Sequence, residues 1–388
     1  MFNHTKRQLM AATVVFGGLA LLLPSFADTI TDATPVPAVG AFGGPRVALD
    51  AAQLEQFKRG RKIFDRDFRQ AGGLGTDFNG DACRSCHLDP TIAGSGGLDV
   101  NVTRFGRDFL GTSPYEDLPG GQIASRERRP DTPGREQHDP DADLFEQRQT
   151  PPMFGLGLIE AISEATILAN EDPLDLNGDG IYGVARLIDI NGDLEVGRFG
   201  WRSQVPLLLD FVGDAMGNEI GITVPDTGRP FPFVTDTDGV ADPELPQSEV
   251  DDLLFFMQIL APPPRGGSTA PAVAQGEALF NAIGCANCHI PTLMSTLGPA
   301  NLYSDLLLHN VQAPGFRGIA DLGAPVGYYR TPPLWGIRAS APYLHNGKAE
   351  TIEDAIHAHF GEATTVVANF DALTAAEQSA VLEFLGDL

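Results

Sequence analysis

Cys83-Arg84-Ser85-Cys86-His87 is a Cys-x-x-Cys-His motif, and Cys285-Ala286-Asn287-Cys288-His289 repeats it. Together the two motifs contain all four cysteines of the chain, so we expect the fold to depend on them. Each spacing puts two thiols about one helical turn apart, where they can form thioethers with the two vinyl groups of a haem. The alternatives are a redox disulfide and a zinc site assembled from both pairs. Neither explains why a histidine follows the second cysteine both times. The sequence therefore predicts two covalently bound c-type haems, with His87 and His289 as iron ligands.

The chain repeats itself weakly around these two motifs. Each motif is preceded by a Gly-x-x-aliphatic-Phe pattern, at residues 60–64 and 276–280, and each half closes on a sequence with helical apolar spacing. Ser248 is the predicted N-cap of the first closing helix, and Thr374 with Glu377 forms a predicted capping box for the second. Because helical patterns predominate, we predict a mainly α fold: two cytochrome c-like helical domains, each holding a c-type haem, with long loops.

Composition predicts where the domains begin and end. Residues 1–27 combine two basic residues, an apolar stretch and a small-x-small sequence, which is typical of a cleaved signal peptide. Residues 262–271 are rich in Pro, Gly and Ser, which indicates a linker between an N-terminal domain (28–261) and a C-terminal domain (272–388). Residues 112–150 are polar and Pro-rich, so we expect a long surface loop there.

Charge restricts the classes of partner. The 388 residues include 26 Lys plus Arg against 51 Asp plus Glu, and the net charge of -25 repels nucleic acid and an anionic membrane surface. An uncleaved N-terminal anchor is the alternative to a signal peptide, but the apolar stretch is shorter than the roughly 20 residues that a membrane span needs. We therefore expect a periplasmic protein with no stable membrane insertion after cleavage and no nucleic-acid partner.

Further segments resemble the di-haem oxidoreductase family related to bacterial di-haem cytochrome c peroxidases. The resemblance is carried by residues 148–160, Gly197-Arg198-Phe199-Gly200-Trp201, Arg330-Thr331-Pro332-Pro333-Leu334-Trp335-Gly336 and Ala341-Pro342-Tyr343-Leu344-His345-Asn346-Gly347. It implies a haem-dependent, peroxidase-like oxidoreductase with Trp201 between the haems. It also implies Glu219 as a catalytic acid–base residue, and Glu160 is the second candidate. Burial in the core is the alternative role for Trp201, and simple solvation is the alternative for either glutamate. The Gln that these peroxidases carry upstream of the glutamate is missing at residues 210–212.

The second ligand of the C-terminal iron is expected to be a histidine. The Met or Tyr that the relatives place after the Pro-Tyr-x-His-x-Gly stretch is missing here, and His357 and His359 occur instead. Thr351 with Asp354 resembles a helix cap, and the helix that follows puts position 359 on its apolar face and His357 away from it. We therefore predict His359 as the ligand, with His309 as the alternative.

The N-terminal iron has no such ligand nearby in the sequence. Between His87 and His138 there is no His, Met, Lys or Cys, so we predict an open or water-bound iron. Met153 and Met216 are the alternative ligands, although isolated Met residues beside aliphatic ones usually fill a core. His345 is expected to have a structural role or to bind a propionate.

Three Asp-x-Asn-Gly-Asp segments, at residues 77–81, 175–179 and 189–193, offer oxygen ligands at alternate positions, as Ca²⁺ prefers. Arg186 stands where the second segment would need the Glu of an EF-hand, so that motif fails. Turn-forming Asx loops are the alternative. Because the peroxidase relatives hold a calcium ion between domains, the resemblance adds one Ca²⁺ as a candidate cofactor.

Two functions are compatible with these residues. In the first, electrons pass from the C-terminal haem by way of Trp201 to a reactive N-terminal haem, which reduces a small oxidant such as hydrogen peroxide. In the second, the protein is a non-catalytic di-haem electron-transfer cytochrome with two six-coordinate irons. The dissimilar surroundings of the two haems favour the first, with a small redox protein as electron donor or acceptor.

Overall fold

A computed structural model describes residues 30–31, 33–75, 78–107, 123–124 and 140–388 of the chain. The predicted signal peptide and most of the predicted loop at residues 112–150 lie outside these ranges. Within them, no helix is both long enough and apolar enough to cross a membrane.

In the part of the chain that the structure describes there are nine α-helices: α1 (Ala51–Asp65), α2 (Leu156–Glu160), α3 (Glu164–Leu168), α4 (Leu208–Ala215), α5 (Gln247–Ile259), α6 (Pro271–Ala282), α7 (Ile352–His357), α8 (Thr364–Asp371) and α9 (Ala375–Asp387). Nine short strands accompany them in four antiparallel sheets. A three-stranded sheet has the order β2-β1-β3, from β1 (Val102–Gly106), β2 (Ile123–Ala124) and β3 (Leu144–Arg148). Three further pairs are β4 (Leu187–Ile190) with β5 (Asp193–Val196), β6 (Leu293–Ser295) with β7 (Gly298–Ala300), and β8 (Leu308–Asn310) with β9 (Tyr328–Arg330).

The prediction of a mainly α chain is therefore only partly confirmed, since the fold is mixed. Strand β3 also corrects the prediction of a loop over residues 112–150. Its residues alternate between buried and exposed, and Phe145 pairs with Phe105 of β1. Five residues of period-2 alternation inside a polar, Pro-rich segment are too weak a signal to recognise without the partner strand.

The two halves share one helix crossing. Helix α1 packs against α5, and α6 packs against α9. At each crossing a glycine lets the two backbones approach closely: a Cβ on Gly60 would lie 2.0 Å from the carbonyl oxygen of Asp252, and a Cβ on Gly276 would lie 1.9 Å from that of Ala380. The repeated Gly-x-x-aliphatic-Phe pattern in the sequence thus corresponds to a repeated helix pair in the structure.

Most of the predicted helix caps are present. The capping boxes of α9 and α7 are confirmed, formed by Thr374 with Glu377 and by Thr351 with Asp354. The predicted cap Ser248 is wrong, because α5 begins at Gln247 and its N-cap is Pro246 at φ -70°. The proline ring holds φ near the value that a helix entry needs, so the helix starts before the serine.

Two clusters of buried apolar side chains stabilise the molecule. The first joins α1, α4 and α5 to residues beyond the predicted linker, among them Leu302 and Leu307. The second lies within residues 273–388 and includes Phe280 and Phe384. Residues 262–270 have no helix or strand, and α6 begins at Pro271. Because the first core includes residues from both sides of the linker, the division into two domains stays a prediction.

Candidate di-haem site

Both Cys-x-x-Cys-His motifs line one large cavity of about 1080 Å³. Its wall contains all four cysteines together with His87 and His289. It also contains Trp201, Glu219 and His359. The fold therefore brings most of the sequence-predicted site residues around a single space, although they come from segments up to about 280 residues apart, from Cys83 to His359.

The two motifs have the same backbone geometry. Each begins with a 3₁₀ turn, at Cys83–Ser85 and Cys285–Asn287, and in each the backbone N–H of the histidine donates to the carbonyl of the first cysteine at 3.0 Å. None of the four cysteines forms a disulfide, and burial raises the pKa of Cys83 and Cys285 to about 12. Among the described residues, no group of three candidate metal ligands includes both cysteines of a motif. The disulfide and the zinc alternatives thus have no counterpart in this geometry.

Three histidines of the cavity wall share one hydrogen-bond pattern. In each, Nδ1 faces a backbone carbonyl oxygen: Gly94 at 3.2 Å for His87, Tyr303 at 2.9 Å for His289 and Ala355 at 2.6 Å for His359. Such a partner makes Nδ1 the protonated nitrogen and leaves the lone pair of Nε2 for a metal. Burial lowers the pKa of all three imidazoles, to about 4 for His87 and His289, so they are neutral at pH 7.

The two alternative histidines are placed differently. Both ring nitrogens of His309 face carboxylates at 2.8 Å, Nδ1 facing Glu362 and Nε2 facing Asp305, so neither nitrogen is free for iron. His357 lies outside the cavity wall, where its Nε2 is 3.0 Å from a carboxylate oxygen of Asp371. Helix α7 ends at His357, two residues before the predicted apolar position 359. The backbone N–H of His359 still donates to the last turn of the helix, and its side chain lines the cavity.

Trp201 lies where segments from both sides of the linker meet. Its Nε1 donates to the carbonyl of Gln149 at 2.7 Å, and its own carbonyl accepts from the backbone N–H of Arg330 at 2.8 Å. The side chain is half-buried and lines the cavity that both motifs share. This position is compatible with a residue between two haems and differs from that of a side chain enclosed in the core.

Two carboxylic acids line the cavity beside the N-terminal motif. Glu219 accepts from Asn79 Nδ2 at 2.7 Å, and Asp214 accepts from Asn218 Nδ2 at 2.9 Å. Burial and the charge of Glu219 raise the pKa of Asp214 to about 6. Burial and, to a smaller extent, the charges of Cys86 and Glu219 raise the pKa of Cys83.

Asp214 is a site residue that the sequence did not reveal. In an α-helix, residues five positions apart point about 140° away from each other, so Asp214 and Glu219 would not share a face. Here α4 continues into a π-helical turn at Met216–Ile220, which changes the angular spacing of the side chains, and Asp214 and Glu219 both line the cavity. Such turns are common at functional sites, but sequence periodicity does not predict them.

Glu160, the second catalytic candidate, lies outside the cavity wall. One of its carboxylate oxygens accepts from the backbone N–H of Leu208 and the other from Gln258 Nε2, both at 2.8 Å. These bonds connect α2 to α4 and α5, so Glu160 serves packing here. Met153 and Met216 do line the cavity, but both are buried in the first core.

The wall also suits the carboxylates that two haems would bring. Although the chain is strongly acidic, six arginines line the cavity: Arg104, Arg148, Arg186, Arg198, Arg202 and Arg330. Arg148 Nη2 and His345 Nε2 are buried there without a hydrogen-bond partner. A buried polar group left unpaired costs about 1–3 kcal/mol, and a propionate oxygen would supply the missing partner. The predicted propionate role of His345 fits its position, where it stacks on Tyr329 with ring centroids 3.9 Å apart.

Two of the Asp-x-Asn-Gly-Asp segments, at residues 175–179 and 189–193, form turns. Asp175 and Asp179 accept from backbone N–H groups of their own loop, and Asp189 accepts from Gly192 in the turn between β4 and β5. Asp77 lies outside the described residues. Within the described ranges, the groups of three His, Cys, Asp or Glu that could hold a metal ion contain none of these aspartates. The turn alternative therefore describes these loops, and the Ca²⁺ stays a prediction.

Comparison with known proteins gives one family and several distant structures. A family model described as "Di-haem oxidoreductase, putative peroxidase" matches residues 138–388, well over half of the chain. No curated protein matches the chain.

The solved structures that the chain matches include the following three. A MauG-like protein associated with microbial copper homeostasis is 16% identical with a TM-score of 0.44, and the match covers 92% of this chain and 95% of that one. The hydrazine synthase of Kuenenia stuttgartiensis is 15% identical with a TM-score of 0.44, covering 99% and 100%. The diheme peroxidase BthA from Burkholderia thailandensis E264 is 15% identical with a TM-score of 0.43, covering 91% and 90%. Identities this low say nothing about the substrate of this chain.

Proposed function

The chain belongs to the di-haem oxidoreductase family, and from this premise we propose that it is an exported c-type oxidoreductase that reduces a small oxidant such as hydrogen peroxide. In this proposal the two haems supply the redox chemistry, with electrons passing from the C-terminal to the N-terminal haem. Each Cys pair would hold one haem through thioethers, and His87 and His289 would bind the two irons. His359 would be a second ligand of the C-terminal iron.

The observation that carries the proposal is the unequal surroundings of the two motif histidines. Burial and, to a smaller extent, the charge of His359 lower the pKa of His289, and both imidazoles line the cavity. Burial lowers the pKa of His87, and the cavity wall beside this motif includes Asp214 and Glu219. One site thus has a second ligand at hand, and the other has two carboxylic acids.

These two acids can manage the protons of the reaction. Reduction of one hydrogen peroxide to two water molecules consumes two electrons and two protons. With a pKa of about 6, Asp214 still holds its proton in mildly acidic solution, and Glu219 is the neighbouring carboxylate that can exchange one. Proton transfer from a positioned side chain is worth about 10² to 10⁴ in rate, so this pair is our proposed acid–base group.

Export and charge define the conditions in which the protein works. We propose that the signal peptide directs it to the periplasm, where c-type haems are attached. With a net charge of -25, the surface attracts a basic partner, so we propose a small basic redox protein as electron donor.

The test is stopped-flow mixing of the reduced protein with hydrogen peroxide while the absorbance of both haems is followed. We expect both haems to be oxidised, and we expect Trp201→Phe to slow oxidation of the C-terminal haem while leaving both spectra nearly unchanged, because the packing volume is mostly kept. If the wild type shows neither cyanide binding nor peroxide-driven oxidation in any redox state, the protein is instead a non-catalytic di-haem electron-transfer cytochrome.

A further inference from the structure

His309 is a buried histidine held between two carboxylates, and the proposed reaction does not use it. It lies on β8, is 3% exposed, and faces Asp305 and Glu362 at 2.8 Å on opposite sides of its ring. A Cβ on Gly183 would lie 2.9 Å from the imidazole, so the ring is enclosed on that side as well. Its position matters because each carboxylate belongs to a segment that holds a different histidine of the C-terminal site.

Asp305 belongs to the segment that supports His289. Its backbone N–H donates to the carbonyl of Cys288 at 2.9 Å, and two residues earlier the carbonyl of Tyr303 accepts from Nδ1 of His289, also at 2.9 Å. The second oxygen of Asp305 accepts from the backbone of Leu307 at 2.9 Å, which fixes the carboxylate itself. The orientation of His289 is thus tied to the position of Asp305.

Glu362 belongs to the segment that carries His359. One of its oxygens accepts from the backbone N–H of Asn310 at 2.7 Å, and the other accepts from that of Tyr182 at 2.8 Å. Between the two residues, the N–H of Phe360 donates to the carbonyl of Val311 at 3.0 Å. The segment that follows His359 is therefore hydrogen-bonded to β8 and to the residue after it, and the carboxylate of Glu362 makes most of these hydrogen bonds.

From this connectivity we infer that His309 is a positioning residue, which joins the segment behind His289 to the segment behind His359 so that both imidazoles can bind one iron. The inference rests on the proposed bis-histidine ligation of the C-terminal haem. It assigns to the Asp305–His309–Glu362 contacts a role beyond packing: they set the distance across which the two ligands face each other.

The charges of His309 and its two carboxylate partners are consistent with this positioning role. Burial alone would lower the pKa of His309, but the hydrogen bonds to Asp305, Cys288 and Glu362 outweigh it and raise the pKa well above its usual range. The positive charge of Arg330 also interacts with Asp305. Removing one partner from these contacts would leave a buried charge unpaired, which is strongly destabilising.

The test compares haem-loaded variants in their ferric state by electron paramagnetic resonance and optical absorption. In His309→Gln and Glu362→Gln we expect a several-fold larger high-spin fraction at the C-terminal haem, with two covalent haems still bound. The matched control is His357→Gln, which removes an exposed histidine–carboxylate pair from the end of α7 and is expected to keep the wild-type spectrum. A lower melting temperature with an unchanged low-spin signal would show that His309 serves packing only, and it would overturn the inference.

His359→Ala separates this inference from the proposal on which it rests. If that variant stays low-spin at the C-terminal haem, His359 is not the ligand and the bis-histidine proposal fails first. If it becomes high-spin while His309→Gln and Glu362→Gln remain low-spin, His359 is the ligand and the role assigned to His309 is wrong. Should His309→Gln fail to accumulate, Glu362→Gln decides, because its amide oxygen can still accept from a backbone N–H.

Discussion

The N-terminal and C-terminal halves surround their motif histidines with the same local structure. Phe64 of α1 contacts the ring of His87 with centroids 6.1 Å apart, and Phe280 of α6 contacts His289 with centroids 6.4 Å apart. Each of these helices crosses its partner at a glycine, and each motif makes the same 3₁₀ turn. The shared residues are those that would bind a haem from one side.

The halves differ in what they place elsewhere on the cavity. In the C-terminal half, the end of α7 supplies a neutral imidazole, and His309 ties its segment to the motif. In the N-terminal half, the π-helical turn after α4 supplies Asp214 and Glu219. If the proposal is right, the repeated helix pair and motif would bind the cofactor, whereas segments outside the repeat would decide whether the iron is covered or reactive.

The largest effect is expected when the cysteines of one half are replaced. If each half holds its own haem, Cys285→Ala with Cys288→Ala lowers the covalent haem-to-protein ratio from two to one. This variant is also expected to accumulate poorly, because its second core then surrounds an empty space. Cys83→Ala with Cys86→Ala is the matched experiment for the other half. The ratio is measured by the pyridine haemochrome assay, and retention of two covalent haems in either variant would rule the assignment out.

The next largest effect is expected from Glu219→Gln, which removes the proposed acid–base group from the open site only. Peroxide consumption is expected to fall by about 10² to 10⁴, while both haem spectra and the transfer of electrons between the haems stay unchanged. Glu160→Gln is the control, because that carboxylate lies outside the cavity wall. Equal losses in the two variants would mean that the effect is structural.

We expect Asp214 to make the reactivity of the proposed open site depend on pH. Its raised pKa means that the acid is protonated below about pH 6 and charged above it. The contribution of its proton to peroxide reduction is therefore present at low pH and lost as the pH rises through about 6. A profile of peroxide consumption from pH 5 to 8 is expected to bend near 6 in the wild type. The bend is expected to disappear in Asp214→Asn, and its persistence there would assign it to another group.

Smaller effects are expected at the two helix crossings. Gly60→Ala and Gly276→Ala each force a Cβ against a backbone carbonyl, which is expected to reduce the free energy of unfolding by about 1–3 kcal/mol in both halves. Gly386→Ala in α9 is the control, because a Cβ there meets nothing within 4 Å and alanine favours the helix. Denaturant unfolding of the holoprotein measures all three. A difference between the first two would show that the repeated crossing is not equivalent in the two halves.

The parts of the site that the sequence predicted are those with local signals. The Cys-x-x-Cys-His motifs need only five consecutive residues, and the placement of His359 followed from a helical period of a few turns. The contacts of His309 with Asp305 and Glu362 could not be predicted in this way, because Glu362 is 53 residues away from His309 in the chain. Asp214 was missed for a different reason, since a π-helical turn changes the angular spacing on which the periodicity argument depends.

One measurement can test directly whether one iron is covered and the other is open. It is a ferric electron paramagnetic resonance spectrum of the wild-type holoprotein, taken with and without cyanide. We predict one low-spin signal from the C-terminal bis-histidine haem and one high-spin signal from the N-terminal haem. Cyanide is expected to convert only the high-spin signal, because we propose His359 as a second protein ligand for the C-terminal iron and no such ligand for the N-terminal iron. Two low-spin signals that cyanide leaves unchanged would contradict the account.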